Sequence, residues 1–378
     1  MNILYIGNIA QSMHDYKWIS FFDKKNINLY CVDGNNEMPF EDKELEKKYA
    51  NSNIKVLNSL PHFSFKNIFR TIKTIKYLNQ IIREKEINAV HVLFATPFSL
   101  WCLFLNVPFI ITTRGSDVLM VLKRISQRKG IVDFLFFLMF KRIFKKAAAI
   151  TSTSNKQVEC LKEIFDVKSQ VIRTGVDVDY ISNVKVEYSI LPKEIQGKDL
   201  IFSPRWIAPE YDIALQVESL QYLSKEIIDR FLFVFVRYND ENEGYINMIK
   251  DQLKLTGHVN YVILNILNVE QMYQIYKKAS LVIMTPISDG TPNTALEAMS
   301  AKTPVITSDL NYDKELFDGT CFKLNPRTPK KLAALIEKAL LDKSNESMVE
   351  KAFQRVKIHG NRAFEMKKVE NIYLDICG

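Results

Sequence analysis

With 378 residues and 47% hydrophobic content, the chain is long enough for two domains and apolar enough for two cores, which excludes a disordered protein. Its five cysteines are scattered and form no Cys-x-x-Cys pair, which argues against a disulfide scaffold or a zinc site. The net charge of +8 is uneven: residues 1–198 carry 29 Lys and Arg against 19 Asp and Glu, and residues 199–378 carry 22 against 24.

The start, Met1-Asn-Ile-Leu-Tyr-Ile-Gly7, lacks the basic stretch and long apolar run of a signal peptide, and reads as the first strand of a cytoplasmic domain. Strands are expected at 3–6, 29–32, 89–93, 109–112 and 149–152, with a helix at 16–22. Residues 65–84 read as a long amphipathic helix, with Ile68, Ile72, Ile75 and Ile82 on one side and Lys66, Arg70 and Lys73 on another. This alternation predicts a parallel sheet with helices on both faces.

Residues 123–146 hold eight basic residues and one acid, Asp133, around the apolar run 134–140. The run is too short to span a bilayer. Two readings stand: a segment lying peripherally on an anionic membrane surface, or a buried helix with basic ends. No nucleic-acid partner is expected, because the phenylalanines cluster without a recognition module.

A polar connection covers 182–198, and a second alternating block follows, with strands at 200–203, 231–236, 261–264, 281–284 and 305–307. Helices are expected at 329–340, 348–358 and 363–376. The fold class is therefore α/β, with domains at 1–185 and 199–358 and a last helical segment at 359–378.

The most telling stretch is 285–310, TPISDGTPNTALEAMSAKTPVITSDL. Asp289 and Glu297 stand with seven residues between them around the loop Gly290-Thr291-Pro292-Asn293-Thr294, between a strand and a helix. Such a loop at a strand's carboxyl end suits a nucleotide, whose phosphate or sugar oxygens meet N–H groups at the helix start. Glu297, about one turn into the helix, is placed to accept hydrogen bonds from a ribose diol. A capping Asp beside an exposed Glu is the bland alternative.

This stretch resembles the signature of the retaining, nucleotide-sugar-dependent glycosyltransferases of family 4: an acid, seven residues, then Glu-Ala-Met and Pro-Val. Here these are Asp289, Glu297-Ala298-Met299 and Pro304-Val305. Thr174-Gly-Val-Asp177 is similar to the family's Gly-Val-Asp element. The resemblance implies two Rossmann-like domains facing a central cleft, the GT-B architecture, with the last helix returning to the first domain. It also implies sugar transfer from a nucleotide-sugar donor to a glycan or lipid-linked acceptor, as in bacterial cell-surface polysaccharide or glycoconjugate assembly. The leaving phosphate would take the acceptor proton, with no metal and no further cofactor.

Asp289, Glu297, Arg205 and Arg114 are then the candidate catalytic residues. Arg205 matches a family Arg that grips the donor pyrophosphate, but Glu210 or Tyr211 stands where the family has a Lys. Either leaving-group stabilisation is weaker, or the donor is a CMP-sugar carrying one phosphate instead of the favoured nucleoside diphosphate. Arg114 stands where the family has a His, in Arg114-Gly-Ser-Asp117, and suits an anion on donor or acceptor. Gly7 and Asn8 are expected near the donor, although the family's Gly-Gly pair is missing. His14 and Asp117 are acceptor-side candidates, with helix capping as the alternative role. Asp177 and Asp179 form an Asp-x-Asp pair, but no further ligand cluster completes a metal shell. A non-catalytic nucleotide-sugar binder and a nucleotide-sugar epimerase remain alternatives.

Overall fold

A computed structural model describes residues 1–35, 40, 42–64, 66–128, 130–237, 242–257, 259–342 and 345–378. The chain forms two compact units, Met1–Thr174 with Phe364–Gly378, and Gly175–Ala363.

The first unit is built on β1 (Asn2–Gly7), β2 (Asn28–Asp33), β3 (Lys55–Val56), β4 (Ala89–Val92), β5 (Phe109–Thr113), β6 (Ala149–Ser152) and β7 (Gln170–Val171). They pair in parallel in the order β3-β2-β1-β4-β5-β6-β7. The chain reverses direction across the sheet between β1 and β4, so the loops after those strands diverge and leave a crevice at their carboxyl ends. One face packs on the helices Ile68–Glu84, Ile131–Lys146 and Asn155–Phe165 and on the 3-10 segment Phe98–Phe104. The other packs on Met13–Ile19 and on the final helix Arg362–Cys377, through Met366, Val369 and Tyr373.

A buried polar chain crosses this unit. Tyr5 and Tyr373 share a hydroxyl–hydroxyl bond of 2.7 Å, His91 bonds Tyr373 through Nδ1, and its Nε2 lies 2.7 Å from the Thr112 hydroxyl. Thr112 continues to Thr151 at 2.7 Å. Burial, and then the Arg114 charge, push the His91 pKa down to about 3, so the ring is neutral.

Two expectations need correction here. The helix expected at 16–22 runs as Met13–Ile19 and tightens into a 3-10 turn at Ser20–Phe22, because Ser12 caps it by accepting from the Asp15 N–H. The long helix begins at Ile68, and Phe65 lies outside the described residues. Its core-facing side is Thr71, Thr74, Leu78, Ile81 and Ile82, so Ile68 and Ile72 point to solvent. The threonines tolerate burial because their hydroxyls donate to the carbonyls of Ser64 and Arg70. In the basic segment, only Phe140 of the apolar run is buried in the core, together with Ile143 and Phe144.

The second unit is built on β8 (Asp199–Trp206), β9 (Phe231–Val236), β10 (Tyr261–Leu264), β11 (Ala279–Met284), β12 (Val305–Ser308) and β13 (Phe322–Leu324). All pair in parallel, in the order β10-β9-β8-β11-β12-β13. The same reversal recurs between β8 and β11. Strand β9, Phe-Leu-Phe-Val-Phe-Val, is buried along its length, as a strand covered on both faces should be. The helix Asn293–Ser300 inserts Ala295, Leu296, Ala298 and Met299 into one core.

The stretch 182–198 is not a purely polar connection. Leu191 and Ile195 are buried in the second unit's core beside Val176, Val178 and Ile181. That packing draws the unit boundary back to Gly175, before the expected limit at 185.

Candidate active site

In the second unit, the reversal point gathers the residues singled out in the sequence. Arg205 ends β8, and Asp289 lies in the loop after β11. The Arg205 guanidinium donates to Asp289 Oδ2 at 3.1 Å and to the Thr294 hydroxyl at 3.4 Å. Its flat face lies 4.1 Å from the centre of the Tyr211 ring, within cation–π range. Its Nε is buried with no acceptor among the described residues. A planar cation braced on three sides, with its buried Nε–H still without an acceptor among the described residues, is suited to an anionic oxygen.

Both loops are locked to each other. Thr285, at the end of β11, donates its hydroxyl to the carbonyls of Tyr211 and Asp212, and receives a bond from Gln216. Ile287 N–H donates to the Glu210 carbonyl. Arg327 clamps the same corner, donating to Asp212 Oδ2 at 2.6 Å and to the carbonyls of Thr285 and Pro286. Asp289 Oδ1 accepts from the Gly290 N–H at 2.8 Å, which turns the loop toward the helix. Pro292 precedes that helix and offers no capping side chain, so N–H groups at its start point into the loop region.

Glu297 is half-buried on the helix side left over by its core residues. Its charge faces the Tyr273 and Tyr276 hydroxyls. Burial first and Glu297 second push both tyrosines above their ordinary pKa, so both stay neutral O–H groups.

The other candidates fall together in the first unit. Gly7 ends β1, and a Cβ there would lie 2.5 Å from Asp15 Oδ2, so only glycine allows that approach. Asp15 Oδ2 accepts from the Asn8 N–H at 2.9 Å, and its Oδ1 lies 3.2 Å from Arg114. Arg114 also lies 5.0 Å from the centre of the Trp18 ring. Burial raises the Asp15 pKa, and the Arg114 charge opposes that rise. Asn8 Oδ1 and Arg114 Nε are buried without partners among the described residues.

Asp117 sits in the same corner, fully buried, with a different role. Its carboxylate accepts from the N–H groups of Ala95, Arg114, Gly115 and Val118. Gly115, at φ +133°, gives the turn this shape. With its oxygens occupied by backbone, Asp117 fastens the loops after β4 and β5 and positions Arg114. His14 is exposed on the first turn of the helix Met13–Ile19. Asp177 caps the helix Val178–Asn183 by accepting from the Tyr180 N–H.

The model for group 1 glycosyl transferases matches residues 191–355, and the model for glycosyltransferase family 4 matches residues 23–180. The chain belongs to the group 1 glycosyltransferases. No curated protein matches it in sequence. Among solved structures, a glycosyltransferase from Rickettsia africae is similar over 99% of this chain and 98% of its own, with a TM-score of 0.79 at 17% identity. Anabaena HepE, in complex with UDP and glucose, matches over 99% and 100%, with a TM-score of 0.75 at 12% identity. WaaG, a glycosyltransferase involved in lipopolysaccharide biosynthesis, matches over 98% and 99%, with a TM-score of 0.66 at 14% identity. At such identities these likenesses show the fold, the two-domain GT-B type.

In this group 1 glycosyltransferase, sequence reasoning missed Asp15, Thr285 and Arg327, and read Tyr211 only as the residue in place of a Lys. Asp15 is a polar residue in a helix's first turn, which a cap would also explain. Arg327 stands 38 positions beyond Asp289, so only the fold brings its clamp to the same corner.

Proposed function

We propose that the protein is a retaining, metal-independent glycosyltransferase that moves a sugar from a nucleotide-sugar donor to a glycan or lipid-linked acceptor, in bacterial cell-surface polysaccharide or glycoconjugate assembly. The observation that carries this reading is the braced Arg205 at the reversal point of the second unit, beside Asp289 and the helix of Glu297.

In this reading the donor phosphate takes the unspent Nε donor of Arg205 and N–H groups at the start of Asn293–Ser300, along the loop Gly290–Thr294. Glu297 accepts from the ribose diol, and Asp289 orients the loop or a sugar hydroxyl. As the glycosidic bond breaks, negative charge grows on the leaving phosphate oxygen. Arg205 and the helix amides stabilise it, and that oxygen takes the acceptor's proton on the face it leaves. Positioning and charge do the work, and no protein base is required. Gly7 and Asn8 line the donor's approach on the first unit, with Arg114 beside them for an anionic group and His14 on the acceptor side. Nucleoside diphosphate donors are favoured by the cation and helix start together, a reading that HepE, bound to UDP, supports. The alternative monophosphate donor rests on Tyr211, which stacks on Arg205 where the family has a second cation.

A second reading, a non-catalytic nucleotide-sugar binder, is favoured by one observation: Asp289 already neutralises Arg205. Nucleotide release from a panel of UDP-, GDP-, ADP- and CMP-sugars, with and without acceptor glycans, separates the two. Transfer to an acceptor with release of one nucleotide supports the glycosyltransferase. Tight binding without release from any donor supports the binder, and an altered sugar without acceptor supports an epimerase.

A further inference from the structure

The first unit carries exposed apolar side chains where two helices begin. On Ile68–Glu84 these are Ile68, Phe69 (84% exposed) and Ile72. On Ile131–Lys146 they are Ile131 (81% exposed), Val132, Phe134, Leu135 and Leu138. Both helices pack on the same face of the sheet, flanking Phe98–Phe104. Each also leads directly into a strand, β4 or β6. A helix that joins parallel strands runs against them, so both first turns lie at the strands' carboxyl end, the edge that carries Gly7, Asn8 and Arg114. The apolar tips therefore share one edge of one sheet face.

The surrounding charge is mainly basic, although Asp133 stands in the second tip's own first turn, its carboxylate 3.9 Å from Arg128. Lys66, Arg70, Lys73 and Lys76 accompany the first tip, and no acid occurs from Lys66 to Arg83. Lys123, Arg124 and Arg128 precede the second, with no acid between the buried Asp117 and Asp133. Large apolar side chains gathered at one exposed edge mark an interaction surface, and one partner covering both tips would take them out of water. Phenylalanine and isoleucine tips ringed by Lys and Arg match the interfacial zone of an anionic bilayer. No helix among the described residues is long and apolar enough to cross one.

We propose that the first turns of Ile68–Glu84 and Ile131–Lys146 together form a docking face for an anionic lipid surface, inserted through Phe69, Ile131 and Phe134 and held by the basic residues beside them. This face is wider than the 123–146 segment and differs from it in which charges count. At 1.5 Å per residue, Lys145 and Lys146 lie roughly 20 Å along the helix from Ile131, beyond the ~8 Å screening length at physiological salt. They stand outside the docking zone. Docking in this way sets the ligand-bearing edge of the first unit toward the membrane, where a lipid-linked acceptor would be anchored. Vesicle binding requires no turnover, so it holds or fails separately from the glycosyltransferase reading.

The test is sedimentation of the full chain with vesicles of phosphatidylcholine alone, or with roughly one third phosphatidylglycerol, at low and physiological salt. The wild type should bind the anionic vesicles, with binding that falls as salt rises. Combined Phe69→Gln, Ile131→Gln and Phe134→Gln should lower binding at least about tenfold, and Lys66→Gln, Arg70→Gln and Lys73→Gln about a hundredfold. Lys145→Gln with Lys146→Gln should change it less than about twofold. All these side chains are exposed, so thermal melting should stay near wild type and check the fold. Hydrogen exchange in 68–72 and 131–138 should slow on vesicles. Absence of anionic-vesicle binding, equal loss in the Lys145/Lys146 variant, or unchanged binding without the apolar tips would overturn the proposal. So would a dimer, disrupted by Phe69→Gln, that covers the face instead.

Discussion

Arg205 shows how far single letters carry. Its place at a strand end pointed to an anion, and the fold adds what the letters do not: an Asp289 partner, a Tyr211 ring beneath it and a buried Nε with no acceptor. Arg205→Ala should weaken nucleoside diphosphate binding by roughly ten- to a hundredfold, the usual cost of one charge-assisted bond of about 1.5–3 kcal/mol. Titration calorimetry reads this directly. Glu297→Ala should reduce transfer more than a hundredfold with an unchanged melting temperature, whereas Asp289→Asn, which keeps one acceptor oxygen, should be milder. Activity of Glu297→Ala within about twofold of wild type would remove Glu297 from the site. The acid pair was legible because its spacing around a glycine loop is local. Asp15 was not, because its partner Arg114 is brought to it only by the sheet.

Among the elements, β9 and β11 were legible because strands buried on both faces read as unbroken apolar runs. The helix Ile68–Glu84 was misread in its facing, since periodicity marks isoleucines as core and threonines as surface. Thr71 and Thr74 are buried because each hydroxyl finds a carbonyl, a satisfaction that no hydropathy pattern encodes. The short β3, β7 and β13 escaped notice because two or three residues carry no period. The paired loops of the second unit depend on Thr285. Thr285→Val keeps the shape and removes the hydroxyl, leaving Gln216 without its partner and breaking the link to the loop carrying Tyr211. The expected loss is about 1–3 kcal/mol of stability, together with weaker donor binding, because Arg205 loses the support of the Tyr211 loop. Denaturant unfolding and donor titration measure the two effects. Full stability with unchanged affinity would show that the loops hold each other by other means.

At the scale of the whole molecule, the two-unit division follows from two complete parallel sheets with their own cores. Only the exact borders depended on the packing of Leu191 and Ile195. The first unit should show its buried His91 as pH dependence. Folded, the ring stays neutral down to about pH 3, and unfolded it takes a proton near 6.5. The unfolded chain thus binds more protons between those values. This contribution is complete above about pH 6.5 and is lost as pH falls toward 3. Burial raises Asp15 and Asp117, which titrate in the opposite sense. His91→Gln keeps hydrogen-bonding capacity toward Tyr373 and Thr112 without titrating near neutrality. Its melting temperature should therefore fall less steeply than the wild type's between pH 7 and pH 5. Equal slopes would show that His91 is not held neutral.

In the proposed reading the second unit holds the phosphate of a nucleotide sugar at Arg205. The most direct test is calorimetric titration of the full chain with a matched nucleoside and nucleoside diphosphate, in wild type and Arg205→Ala. The wild type should bind the diphosphate far more tightly than the nucleoside, and the variant should lose roughly ten- to a hundredfold for the diphosphate alone. Equal losses for both ligands, or no preference for the diphosphate in the wild type, would contradict it.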